Sequence, residues 1–209
     1  MAAFDLQEQE QIAELKAWWQ SWGKSLAIAV ITALLAYAGW TGWQTWQKHQ
    51  SAKAADLYAQ LQSQAMDEAK FKATLSTLKG DYQSTAYAAR AALAAAKLAY
   101  LNGKPEAARE ELKWVIANAK EVNLRDTAKL RLASVLLDDK KIDEALTLIK
   151  TPEEESYSPL FAEMRGDLLL AKNDVAGAAD AYRQAIAKLP KDAPNLKLVE
   201  VKLDVLGVK

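Results

Sequence analysis

The sequence predicts an all-α protein: a single N-terminal transmembrane helix followed by an array of helical repeats. Three observations predict it. Residues 26–43, LAIAVITALLAYAGWTGW, carry no charged side chain. Behind them, helical patterning runs to the end of the chain between short breaks of Gly, Asn, Asp and Pro. Alanine is abundant across the 209 residues while glycine (8) and proline (5) are scarce, a composition that favours closely packed helices.

Charge and cysteine content narrow the function classes. The 27 basic and 27 acidic residues cancel, which argues against a general nucleic-acid binder, because such a protein needs a basic face to displace counterions. The absence of cysteine excludes disulfides, thiolate metal sites and a cysteine nucleophile.

The apolar run is long enough to act as a membrane span. As a helix rising about 1.5 Å per residue, it covers the roughly 30 Å of a bilayer's hydrocarbon core. Lys24 precedes it and Lys48 is the first charge beyond it. A buried core helix and a signal peptide are the competing readings. Leu26–Leu35 resembles a signal-peptide apolar region, and Ala36-Tyr37-Ala38 has the form of a cleavage site. The preceding segment, however, is long and acidic (Asp5, Glu8, Glu10, Glu14), where a short basic one is expected. An uncleaved anchor is the better reading. Trp18, Trp19 and Trp22 lie before the run and Trp40, Trp43 and Trp46 close it, as expected of indoles in two headgroup-level belts. Gly39 and Gly42 form a small-residue ridge where another membrane helix could pack. Lys16 and Lys24 on one side balance Lys48 and Lys53 on the other, so charge alone leaves orientation open.

Breaks after the span are expected at Lys79-Gly80-Asp81, Asn102-Gly103-Lys104-Pro105, Asp138-Asp139-Lys140 and Asn173-Asp174. The longest interruption, TPEEESYSP at 151–159, reads as a loop in which Ser158 caps a helix opened by Pro159. Its triplet Glu153, Glu154 and Glu155 reads as solvated, since a hard cation needs more converging oxygens. The boundaries are an N-terminal segment at 1–24, the span at 25–46, a helical connector and cap at 47–83, repeats at 84–190, and a capping helix at 191–209. In that last segment Leu196, Val199, Leu203 and Leu206 share a helical face, although the alternation around Val201 also permits a strand.

Three segments align as helix, turn, helix. Each places an alanine four residues into its second helix: Ala108, Ala145 and Ala178, spaced 37 and 33 apart. The third carries Gly166, Ala178, Tyr182, Ala185 and Pro190 at tetratricopeptide-type spacing, with Ala96 and Ala133 at the glycine position of the other two. Small residues are needed where the two helices of a repeat nearly touch, and Tyr182 fills the space beyond.

No catalytic constellation stands out, and neither a cofactor nor a metal site is expected. The one histidine, His49, lies at the membrane edge with no serine or carboxylate grouped around it. No phosphate loop, dinucleotide fingerprint, zinc-protease motif or calcium loop occurs. Glu106, Glu110 and Glu111 read as i,i+4 partners of Arg109 and Lys113. The remaining asset is surface. First helices line the concave face of such arrays, which here gives Arg90, Leu93, Lys97 and Tyr100, then Thr127, Leu130, Ser134 and Leu137, then Glu163, Asp167 and Leu170. Leucines and a tyrosine among mixed charges suit a peptide segment, with Leu130 and Leu137 readable as groove or as core.

EQIAELKAWWQSWGKSLAIAVITALLAYAGWTGWQTWQKHQ resembles the N-terminus of the YfgM family of bacterial inner-membrane proteins, through its W-W and G-K before the span and G-W and W after it. The motif maps to Trp18, Trp19, Gly23, Lys24, Gly39, Trp40 and Trp46. LRDTAKLRLASVLLDDKKIDEALTLI and FAEMRGDLLLAKNDVAGAADAYRQAI resemble the family's repeats. The resemblance implies a cytoplasmic N-terminus, a periplasmic tetratricopeptide-like domain, and no catalytic residues. It also implies association with the SecYEG translocon and a PpiD-type periplasmic chaperone, and contact with exported nascent chains. The alternatives are an anchored scaffold for another envelope assembly, or a cleaved soluble periplasmic repeat protein.

Overall fold

A computed structural model describes the backbone of residues 2–207 and the side chains of residues 8–207. Helices account for nearly all regular structure, and no strand occurs among the described residues. The chain divides into two compact units, residues 1–49 and 50–209.

Helix α1 (Ala2–Ser63) holds the first unit and enters the second. Its apolar stretch has no proline, and its hydroxyls are satisfied within the helix. Thr32 Oγ1 donates to the Ile28 carbonyl at 2.8 Å, and Thr41 to that of Tyr37 at 3.0 Å. That internal satisfaction is what a helix in hydrocarbon needs. One helix among the described residues is long and apolar enough to cross a membrane, and none of its most apolar window is buried against protein. All six flanking tryptophans are exposed. The indoles of Trp43 and Trp46 stack at 5.1 Å, while Trp19 folds onto Gly23, where an added Cβ would lie 2.7 Å from its ring. Gly39 and Gly42 face open space.

The second unit is a series of helical hairpins. The end of α1 packs in one cluster with α2 (Glu68–Asp81) and α3 (Ala86–Leu101); α3 pairs with α4 (Pro105–Asn118), α5 (Val122–Asp138) with α6 (Ile142–Leu148), and α7 (Ser158–Ala171) with α8 (Val175–Lys188). Helix α9 (Leu196–Val205) follows. Ala54 and Leu61 of α1 are fully buried against Phe71, Leu75, Leu78, Ala91 and Ala95. The expected connector is therefore itself a hairpin. Its turn, at 64–67, carries no glycine or proline signal. The Asp67 carboxylate accepts from Lys70 N at 3.1 Å and starts α2, and Thr74 donates to Gln64 Oε1 at 2.8 Å. The break expected at Lys79-Gly80-Asp81 lies inside α2, and the chain turns just after it, at 82–85.

The other three hairpin turns are built alike. Gly103, Lys140 and Asn173 all have positive φ (68°, 59° and 65°), each five residues before Ala108, Ala145 or Ala178. In each, the next residue's N–H reaches back five residues: Lys104 to Ala99, Lys141 to Leu136 and Asp174 to Leu169, at 2.8–2.9 Å. This left-handed termination consumes carbonyls that the helix end leaves open. The three alanines are fully buried.

The loop before α7 corrects one expectation. Ser158 is the first residue of α7, preceded by a 3-10 turn at Glu155–Tyr157, and its side chain does not cap the helix. Glu153, Glu154 and Glu155 are exposed, as expected of a solvated loop, and the loop is also tied down. Asp126 is completely buried and accepts from the backbone N–H groups of Glu153 and Glu154, both at 2.9 Å, and from Lys129 Nζ at 3.2 Å. Glu153 pairs with Arg125 and Lys129, and Glu155 with Lys188. On α4, Arg109 and Lys113 pair at i,i+3 with Glu106 and Glu110, not at i,i+4, while Glu111 reaches Lys79 of α2 at 2.8 Å. Helix α9 buries Val199 beside Ala178, Tyr182 and Ala185, with Leu203 and Leu206 packed against them.

Candidate protein-docking face

The repeat core explains which side of each first helix is left open. Ala96 and Ala133 are buried, and Gly166 is covered by Tyr182, so each first helix spends one side on its partner. A second side packs on the neighbouring hairpins, through Ala89, Ala92 and Leu93 of α3 and Ala128, Leu132 and Leu136 of α5. The remaining side is the face the sequence assigns to partner contact.

The residues expected on that face differ in exposure. Arg90 and Lys97 are exposed, and Tyr100 is 43% exposed with its hydroxyl donated to Asp138 of α5. That bond raises the Tyr100 pKa, because the neighbouring carboxylate opposes a phenolate. Leu93 is 6% exposed and belongs to the core, which corrects its assignment. It turns inward because α3 packs between two hairpin layers and has only a narrow free side. Thr127 is half-buried, bonded to the Asn123 carbonyl at 2.7 Å and to the Tyr157 hydroxyl at 2.9 Å. Leu130 and Leu137 are half-buried against the central core. Leu170 is exposed.

Four of these residues from two repeats line one groove. Leu130 and Ser134 of α5 face Glu163 and Asp167 of α7, with Arg131, Leu160 and Met164 completing a shallow cavity of about 230 Å³. Arg131 lies on the helical face of Thr127 and Ser134, and its i+4 spacing from Thr127 was a legible signal. Lys202, arriving from α9, was not legible. Its ammonium donates to Glu163 at 2.9 Å and to both oxygens of Asp167 at 2.8 and 2.9 Å, while Asn195 adds a bond to Glu163 at 3.1 Å. Burial alone would weaken the Lys202 charge, but the Asp167 and Glu163 carboxylates outweigh it and raise its pKa. From below, the Tyr182 hydroxyl donates to Asp167 at 2.7 Å. Burial, and then that acceptor, push the phenol strongly upward, so it remains a donor. The α7 wall is thus held in place with its two carboxylates sharing one ammonium, while the α5 wall offers Arg131. No group of three or more ligand-type side chains positioned to hold a metal occurs among the described residues.

Residues 16–208 match the family model described as a tetratricopeptide repeat-like domain. The chain is similar over its whole length to proteins named ancillary SecYEG translocon subunit. That of Neisseria gonorrhoeae is 35% identical, over 98% of this chain and 99% of its own length. That of Haemophilus influenzae is 32% identical, over 88% and 90%. That of Escherichia coli is 31% identical, over 96% and 97%. The turns, the small-residue contacts and these likenesses agree: this chain belongs to the YfgM family, whose relatives bear the name ancillary SecYEG translocon subunit.

Proposed function

We propose that this protein is a non-enzymatic, membrane-anchored adaptor of the SecYEG translocon that links export to periplasmic chaperones. The observation that carries the anchor is the stretch at 26–43, apolar and exposed along a helix while residues 50–209 build cores of their own. In this reading residues 25–46 span the inner membrane, residues 1–24 lie in the cytoplasm, and the repeats stand in the periplasm. The first-helix face then meets a PpiD-type chaperone or an exported chain. The relatives' names supply the translocon; the groove between α5 and α7 and its exposed surroundings support peptide binding.

Two measurements test it. Co-purification from mild detergent should recover SecY, and a photocrosslinker at position 100 or 130 should trap translocon, chaperone or precursor. Recovery of a different envelope assembly instead would favour the scaffold reading. Because the chain has no native cysteine, single cysteines at Glu10 and Asp192 report orientation cleanly. A membrane-impermeant maleimide should label position 192, and not 10, in spheroplasts. The intact mass should retain residues 1–38; their loss would mean a cleaved soluble protein.

A further inference from the structure

We infer that the first-helix face of α3 and α5 docks an acidic segment of its partner, with carboxylates on Arg90, Lys97 and Arg131 and an apolar side chain in the adjoining groove. The inference rests on the adaptor reading and names the chemistry of the segment bound. Its basis is the pairing pattern on this face. Lys97 and Arg131 form no ion pair among the described residues, and Arg90 is engaged only by the Tyr87 ring, 5.5 Å away. The acids nearby already hold hydrogen-bond partners of their own. Glu163 and Asp167 are held by Lys202, Asp138 takes the Tyr100 hydroxyl, and Asp126 is buried under the 151–155 loop.

The three cations share one aspect of the two helices. Arg90 and Lys97 are seven residues apart, two turns along α3. Arg131 is seven residues before Asp138, the α5 residue that Tyr100 binds, so the cation rows are joined where these helices touch. Beside Arg131 lie Leu130, Leu160 and Met164 in the groove, with Leu160 37% exposed. An acidic segment with interspersed leucines meets both demands, since guanidinium groups take carboxylates in two-pronged hydrogen bonds and the apolar floor takes a side chain. A basic segment would set like charges against all three.

The test is fluorescence anisotropy on the full chain in mild-detergent micelles. The probes are a fluorescein-labelled peptide of two leucines set among glutamates and its counterpart with lysines for the glutamates. The glutamate peptide should bind at least about tenfold more tightly and weaken as salt is raised. Lys97→Glu and Arg131→Glu should each weaken it, and the double variant should reverse the preference toward the lysine peptide. That reversal requires a folded face, so misfolding cannot imitate it. Equal affinity for the two peptides, binding of neither, or unchanged affinity in the variants would overturn the inference. Recovery of SecY with the same variants is scored separately: if SecY is retained while peptide selectivity is absent, only this inference falls, and if SecY is lost from the unaltered chain, the adaptor reading falls.

Discussion

The ring of Tyr182 lies so close over Gly166 that a β-carbon at 166 would sit 2.3 Å from its Cε1. The ring is almost completely buried and its hydroxyl is tied to Asp167, so it has little room to yield. The contact joins the two helices of the last full repeat. Gly166→Ala should therefore destabilise the second unit by about 1–3 kcal/mol, read as a lowered urea midpoint. Tyr182→Phe should cost less, about 1 kcal/mol, since it loses one hydrogen bond and keeps the packing.

Lys140 holds a left-handed conformation, φ 59°, that its hairpin equivalent Gly103 adopts without a side-chain penalty. Lys140→Gly should raise stability by about 0.5–1 kcal/mol, and Gly103→Ala should lower it. Thermal unfolding of the two variants should give shifts of opposite sign.

Asp126 is the buried acceptor that pins the 151–155 loop to α5. Asp126→Ala strands two backbone donors and leaves the Lys129 ammonium with Glu153 alone, at an expected cost of about 3 kcal/mol. Hydrogen exchange should locate the damage, with the amides of Glu153 and Glu154 losing protection before those of α3.

Glu153 is held at a pKa of about 2, first by its Arg125 hydrogen bonds and then by Lys129, against an ordinary value of 4.5. Its folded value lies below its unfolded one, so its contribution is full above about pH 4.5 and fades as pH falls toward 2. Partial exposure keeps the effect modest. Glu153→Gln should be less stable than the unaltered chain at neutral pH, with the gap closing through that window in urea titrations.

Gly39 and Gly42 have nothing packed on them. Replacing both by leucine should reduce co-purified membrane partners while the protein stays in the membrane fraction. Unchanged co-purification would remove the docking role of this ridge.

The repeats were legible because their signals are local. Ala108, Ala145 and Ala178 recur at nearly constant spacing, and Gly103 and Asn173 mark two of the three turns they follow. The turn at 64–67 escaped because Asp67, a cap with no glycine or proline beside it, starts the next helix alone. Spacing with Arg90, Lys97 and Tyr100, which share its general side of α3, assigns Leu93 to the surface. Only the two neighbouring layers decided that this one residue turns inward.

By itself the sequence determined the helical class, the long apolar run with its flanking tryptophans, and the register of three hairpins. Composition, run length and period are properties of neighbouring residues, and neighbours suffice to read them. The tertiary structure alone decided the electrostatics of the first-helix face. Lys202 meets Asp167 across 35 residues of chain, and Asp126 meets Glu153 across 27. Such pairs form because packed helices bring distant side chains within reach, which no local spacing records, and they leave Arg90, Lys97 and Arg131 on that face with no ion-pair partner among the described residues.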